Sequence, residues 1–140
     1  MTPADIQLVE ASFRLVAPIA EPAAAIFYEK LFALDPTLRP MFAHGDMHEQ
    51  GRKLMQALGF VVGNLRAPEK LLPVVADLGR RHAGYGVQAG HYGTVGAALL
   101  ATLREGLGPH FTPEVAAAWE AAYALLSAVM LDSAAPAQAA

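Results

Sequence analysis

The chain has 140 residues, with 10 Lys+Arg against 13 Asp+Glu, a formal net charge of -3 and a pI ≈ 5.9. That length makes one domain with one apolar interior, because a chain of this size buries roughly 68 % of the surface that its unfolded form exposes. No cysteine is present, which excludes disulfides, thiolate metal sites and a thiol nucleophile, and the mild acidity leaves no cationic excess for a nucleic-acid backbone.

The pattern is helical throughout. Thr2-Pro3-Ala4-Asp5 reads as a helix start: a capping oxygen, a proline where the N–H has no partner anyway, and an acid in the first turn. The same start lacks the cationic opening and apolar run of a signal peptide, so a cytoplasmic protein is expected. Asp35-Pro36 repeats the capping grammar and opens a short helical turn. Leu54, Leu58, Val61, Val62 and Leu65 then recur at helical spacing and mark one amphipathic helix. Helical stretches over Glu69–Arg81 and His91–Leu107 follow, separated by Gly84, Gly86 and Gly90. Thr112-Pro113-Glu114 opens the last long helix, where Val115, Trp119, Ala122, Leu126 and Met130 share a face.

No segment alternates with period two between hairpin turns, so strands are not expected. Composition is apolar (54 % hydrophobic, mean hydropathy +0.31), yet the longest apolar stretches are interrupted by Gln56, Asn64, Glu114 and Glu120. These stretches fall short of the roughly 20 residues that a membrane span needs, and no membrane association is expected. Residues 133–140, rich in alanine, read as a flexible tail beyond a domain at 1–132. Six to eight short helices in one such domain must cross at angles, a packing that can leave a pocket between them.

Chemistry at neutral pH falls to five histidines. His44 and His48 lie four apart and could share a divalent metal, but Gly45 between them and the lack of a third ligand other than Asp46 favour a solvated turn. His91 and His110 read as surface or loop residues. His82 stands on the last turn of its helix, where an imidazolium would simply suit the dipole. What sets it apart is its company. Tyr28, Phe42, Gln50 and Leu54 would supply a phenol, an aromatic wall, an amide and an aliphatic wall if the helices cross over a pocket.

Six strings, in order and spacing, resemble the single-domain bacterial globins and the globin half of flavohaemoglobins, most closely the Hell's Gate globin and thermoglobin type. They are Phe27-Tyr28-Glu29-Lys30-Leu31-Phe32, Asp35-Pro36 with Met41-Phe42, the run from Gln50 to Gln56, Leu78-Gly79-Arg80-Arg81-His82, the run from His91 to Leu100, and Ala118-Trp119 through Tyr123. The resemblance spans about Thr2 to Met130. It implies an all-α globin fold around haem b, with His82 as the proximal iron ligand and Phe42 wedged against the macrocycle. Tyr28, Gln50 and Leu54 take the distal positions. The same transfer makes Leu58, Leu78, Val87, Tyr92, Val95 and Leu126 pocket candidates, and Lys53 and Arg81 candidates to meet a haem propionate.

Residue chemistry agrees with that transfer. A neutral imidazole suits iron, and a carbonyl at its second nitrogen would fix its orientation. Glutamine is a poor iron ligand, so the distal side stays open, and both Tyr28 and Gln50 can donate to dioxygen there. Leu54 adds bulk and dryness. The resemblance therefore implies tight dioxygen binding for storage, delivery or scavenging, with nitric oxide and carbon monoxide as further ligands. Two alternatives stay open. One is nitric oxide dioxygenation with a separate reductase, since these 140 residues hold no nucleotide-binding fingerprint; the other is gas sensing or a haem-free interaction module. In flavohaemoglobins the proximal histidine is tied to a Tyr and a Glu. Tyr92 matches the Tyr, but the Glu would fall near Pro136 and none occurs after Glu120, which favours reversible binding over turnover.

Overall fold

The first helix, α1 (Pro3–Val16), starts on a reciprocal capping box: Thr2 Oγ1 accepts from the Asp5 amide at 3.1 Å, and the Asp5 carboxylate accepts from the Thr2 amide at 2.9 Å. The computed structural model describes the backbone of residues 1–42 and 45–139 and the side chains of residues 1–42 and 45–134. After α1, a 3-10 turn at Ala17–Ile19 leads into α2 (Ala20–Leu34). The Asp35 carboxylate accepts from the Thr37 amide at 3.1 Å and opens the 3-10 segment Pro36–Phe42. Asp46 caps α3 (Met47–Gly63) by accepting from the His48 amide at 2.9 Å. α4 (Pro68–Gly84) and α5 (Ala89–Leu107) are joined through Gly86 at φ 88, a left-handed conformation that glycine takes without strain. A 3-10 turn at Gly108–His110 precedes α6 (Pro113–Ala139), where Thr112 Oγ1 accepts from the Val115 amide at 3.2 Å. Among the described residues there is no strand.

The helices run longer than the apolar stripes that revealed them, because polar first turns carry no hydrophobic signal. α3 begins at Met47, ahead of its stripe, and α4 continues two residues past His82. Packing pairs α4 with α6, α2 with α5, α1 with α6, and α2 across α3. Val9, Leu71, Val75, Ala98 and Ala118 are the most enclosed apolar residues, beside Trp119. Trp119 Nε1 donates to Ser12 Oγ at 2.8 Å, and that hydroxyl donates to the Leu8 carbonyl at 2.7 Å, so the one indole is buried without an orphaned donor.

The α4–α6 crossing is a close one and lies one turn before His82. A Cβ at Gly79 would overlap the Met130 carbonyl oxygen and stand 2.6 Å from Met130 Cα, so only glycine lets the two backbones meet there. Ser133 Oγ seals the crossing by donating to the Ala76 carbonyl at 2.8 Å, and Ala134 is buried. Of the stretch read as a tail, these two residues are packed, and side chains 135–140 lie outside the described residues. Gly79→Ala is expected to cost about 1–3 kcal/mol by overpacking, measured as a lower urea midpoint.

Residues Pro113–Ala134 of α6 are long and apolar enough, by length and composition, to cross a membrane, which corrects the expectation that no segment is. Val115, Ala118, Trp119 and Ala122 of that same stretch are core residues, which accounts for its apolar character.

Candidate functional site

Gln50, Leu54, Leu58 and Val61 follow one another at helical spacing along α3, and that stripe forms one wall of a cavity of 260 Å³. α2 contributes Tyr28, the 3-10 segment contributes Phe42, and α4 contributes His82. The α4–α5 loop and the start of α5 add Val87, His91, Tyr92 and Val95, and α6 closes the cavity with Tyr123 and Leu126. The lining is mostly aliphatic and aromatic. Its polar groups are few: one phenol of α2, one amide of α3, two imidazoles, two further phenols, Ser127 and the Trp119 indole, whose N–H is already bonded to Ser12.

His82 is half-buried, and its Nδ1 lies 2.7 Å from the Leu78 carbonyl oxygen one turn back on α4. A carbonyl can only accept, so Nδ1 carries the proton and donates. Nε2 is left as a neutral lone-pair donor on the cavity-lining ring. Among the described residues no group of three or more His, Asp or Glu side chains is placed to hold a metal. An imidazole so oriented in an apolar cavity, with no cluster of further protein ligands among the described residues, suits a metal that arrives with its remaining ligands, as the iron of a porphyrin does.

Tyr28 packs edge-to-face on Phe27 and Phe42, with ring centroids 5.1 and 5.5 Å away. Burial pushes its phenol up to about 12, so it is protonated at neutral pH. Among the described residues its hydroxyl has no acceptor, which leaves a donor available to a ligand in the cavity. Burial likewise raises the Tyr92 and Tyr123 phenols. Tyr123 Oη donates to the Tyr92 carbonyl at 2.6 Å, and its ring fills the space over Gly96, where a Cβ would stand 2.7 Å from Cε2. Phenols raised above their ordinary 10.0 favour the fold fully below that pH, and the preference is lost as pH climbs toward the folded values. Stability should therefore decline between about pH 10 and about pH 12, and Tyr28→Phe should flatten part of that decline in urea titrations.

Most of the sequence-derived residues meet at this cavity: Tyr28, Phe42, Gln50, Leu54, Leu58, His82, Val87, Tyr92, Val95 and Leu126 all line it. Three do not. Leu78 takes part through its backbone carbonyl rather than its side chain. Arg81 is exposed and bonded to Asp77 at 2.9 Å on α4, and exposed Lys53 also stands outside the lining. Both alternate with pocket-facing neighbours, and on a helix adjacent residues point about 100° apart.

The reading of His91 as a surface residue is corrected. It is half-buried and lines the cavity, with Nδ1 accepting from the Gln88 amide at 3.0 Å as part of the α5 cap. Tyr123 was also missed, although Gly96 in mid-helix was a cue that a bulky neighbour approaches. His110 is exposed, and His48 is exposed 3.4 Å from Glu21. His44 lies outside the described residues, and with it any pairing to His48.

Residues 25–130 match the family model described as Globin. The chain is similar to a flavohemoprotein of Bordetella parapertussis, 36% identical over 128 residues that make up 89% of this chain and 31% of the relative. A flavohemoprotein of Rhizobium meliloti is 36% identical over 106 residues, 74% of this chain and 26% of that protein. One from Chromobacterium violaceum is 34% identical over 107 residues, 75% of this chain and 26% of that protein. The chain thus spans under a third of the length of these curated relatives.

Proposed function

The chain belongs to the globin family, and from that premise we propose that it holds haem through His82 and binds dioxygen tightly at the opposite face of the cavity. The observation that carries the reading is the pairing of an oriented imidazole with a free phenol donor in one apolar cavity. Haem b is the form proposed, since a chain without cysteine has no thiol for covalent attachment. Bound haem supplies the iron at which a diatomic gas is held.

Everything else falls to this chain's own residues. The Leu78 carbonyl holds the His82 ring in the tautomer that presents Nε2. Phe42, braced by Phe32 and Tyr28, gives a flat macrocycle an aromatic wall. Tyr28 Oη and the Gln50 amide would donate hydrogen bonds to a diatomic ligand held in the cavity, and Leu54 and Leu58 would shield it from bulk water. Storage, delivery or scavenging would all use that affinity. The likeness to the Hell's Gate and thermoglobin type goes with this proposal on the strength of the sequence strings, and a cytoplasmic location on the N-terminal pattern at residues 1–5.

The likeness to flavohemoproteins favours a second reading, in which a flavin-bearing partner delivers electrons and the site converts nitric oxide. Dioxygen, nitric oxide and one electron together make nitrate, so atoms and charge balance. The test of the first reading is an absorption spectrum of the purified protein reconstituted with hemin, reduced, then exposed to air. A Soret band that shifts reversibly on oxygenation is expected, and a colourless protein after hemin titration would overturn the proposal. Sustained nitrate formation with a generic flavin reductase would promote the second reading.

A further inference from the structure

Tyr28 borders two spaces. It lines the main cavity, and it also lines an open groove between α2 and α3 that it shares with Phe32 and Arg39. Phe32 follows Tyr28 by four residues on α2, so the two rings share a face of that helix one turn apart. Three rings then close a triangle: the centroids of Tyr28 and Phe42 are 5.5 Å apart, those of Phe32 and Phe42 5.5 Å, and those of Tyr28 and Phe32 6.1 Å. Each separation lies in the range where aromatic pairs attract, and both contacts with Phe42 are edge-to-face.

The one ring of the three that does not line the cavity is held by a charge. Phe32 is 8 % exposed, and the guanidinium carbon of Arg39 stands 4.7 Å from its centroid, inside the roughly 6 Å at which a ring face attracts a cation. Arg39 belongs to the 3-10 segment Pro36–Phe42, whose Leu38 and Phe42 line the cavity, so one short segment supplies both a wall and the cation behind it. Arg52, Arg66, Arg80 and Arg81 each pair with a carboxylate, whereas among the described residues Arg39 makes no salt bridge. Its planar, permanently charged head is suited to stacking on a ring.

Direction matters for the phenol, because a hydrogen bond weakens steeply as its angle bends. The Tyr28 hydroxyl has no acceptor among the described residues, so the contacts of its ring set where Oη points. We propose that Arg39 is a positioning residue for that phenol: its guanidinium clamps Phe32, and Phe32 fixes, directly and through Phe42, the angle at which Tyr28 offers its hydroxyl to a ligand in the cavity. The inference rests on the dioxygen-binding reading and deepens it, since part of the control over ligand release then lies with an exposed residue outside the cavity. A cation that merely covered an apolar face would alter stability when lost and leave the ligand untouched.

The carbon monoxide complex of the haem-loaded protein reads the donor angle through its C–O stretching band, which falls in frequency when a hydrogen-bond donor addresses the oxygen. A single narrow band is expected for the native chain. In Arg39→Gln it should broaden or split toward the position it takes in Tyr28→Phe, and dioxygen should dissociate about two- to fivefold faster, the range that a cation–π contact of this kind supplies. Arg39→Lys keeps a cation over the ring and should recover most of both. In the Tyr28→Phe background, Arg39→Gln should change neither. A native band and off-rate in Arg39→Gln, or the same change persisting in Tyr28→Phe, would overturn the clamp. Failure of the dioxygen reading looks different: Tyr28→Phe itself then leaves band and off-rate unmoved, or no hemin is taken up. The clamp is still read without iron, because the NMR signals of the Tyr28 ring protons should shift in Arg39→Gln and return in Arg39→Lys, and signals that stay in place in Arg39→Gln would overturn it.

Discussion

His82→Ala is expected to leave the six helices in place and abolish haem retention. The substitution raises helix propensity and removes a half-buried ring whose only protein bond, Nδ1 to the Leu78 carbonyl, is local to α4. That carbonyl keeps a place in the helix, so far-ultraviolet circular dichroism should be unchanged. What goes is the one imidazole lone pair that the cavity presents on the α4 side, and no cluster of acids or histidines among the described residues can replace it. Haem should then transfer to apomyoglobin faster by orders of magnitude, each tenfold corresponding to about 1.4 kcal/mol of lost binding. Adding free imidazole should restore part of the retention by filling the vacated space. A His82→Ala protein that stays red with unchanged spectra would refute the assignment, and would direct attention to His91, the second imidazole at the cavity.

The helices were legible in the sequence because their starts use oxygen caps with proline at the first position and their buried faces repeat at helical spacing. Thr2, Asp35 and Thr112 all accept the backbone N–H bonds that the grammar implied. The cavity was legible where it is built from such stripes: Gln50, Leu54 and Leu58 are one face of α3, and a stripe is visible in one dimension. His91 was not legible. Standing among glycines at a helix start, it has the local signature of a solvent residue, and only the turn at Gly86 swings the head of α5 back over the cavity beside His82. Arg81 and Lys53 fail for the complementary reason: they neighbour pocket residues in the chain, and the helix turns them away. The Gly79 contact is a meeting of α4 and α6 across more than fifty residues, a pairing that composition alone does not encode.

Tyr28→Phe is expected to speed dioxygen dissociation by roughly 10- to 150-fold, the equivalent of a hydrogen bond to a charged acceptor worth about 1.5–3 kcal/mol. Phenylalanine keeps the ring and with it the edge-to-face contacts on Phe27 and Phe42, so the cavity retains its shape. Because the hydroxyl has no acceptor among the described residues, deleting it strands no partner, and stability at neutral pH should hold or rise slightly. That combination separates a ligand-facing phenol from a structural one, whose loss would lower stability and leave the off-rate alone. Gln50→Ala should act in the same direction, more weakly, since a half-buried amide on the first turns of α3 has more rotamers to lose on binding. The double variant tests whether both donors address the same atom: if they do, and each compensates for the other's loss, the second deletion should cost more than it does alone. Unchanged off-rates in both single variants would remove the hydrogen-bond account of affinity and leave only the apolar wall of Leu54 and Leu58 to slow the gas.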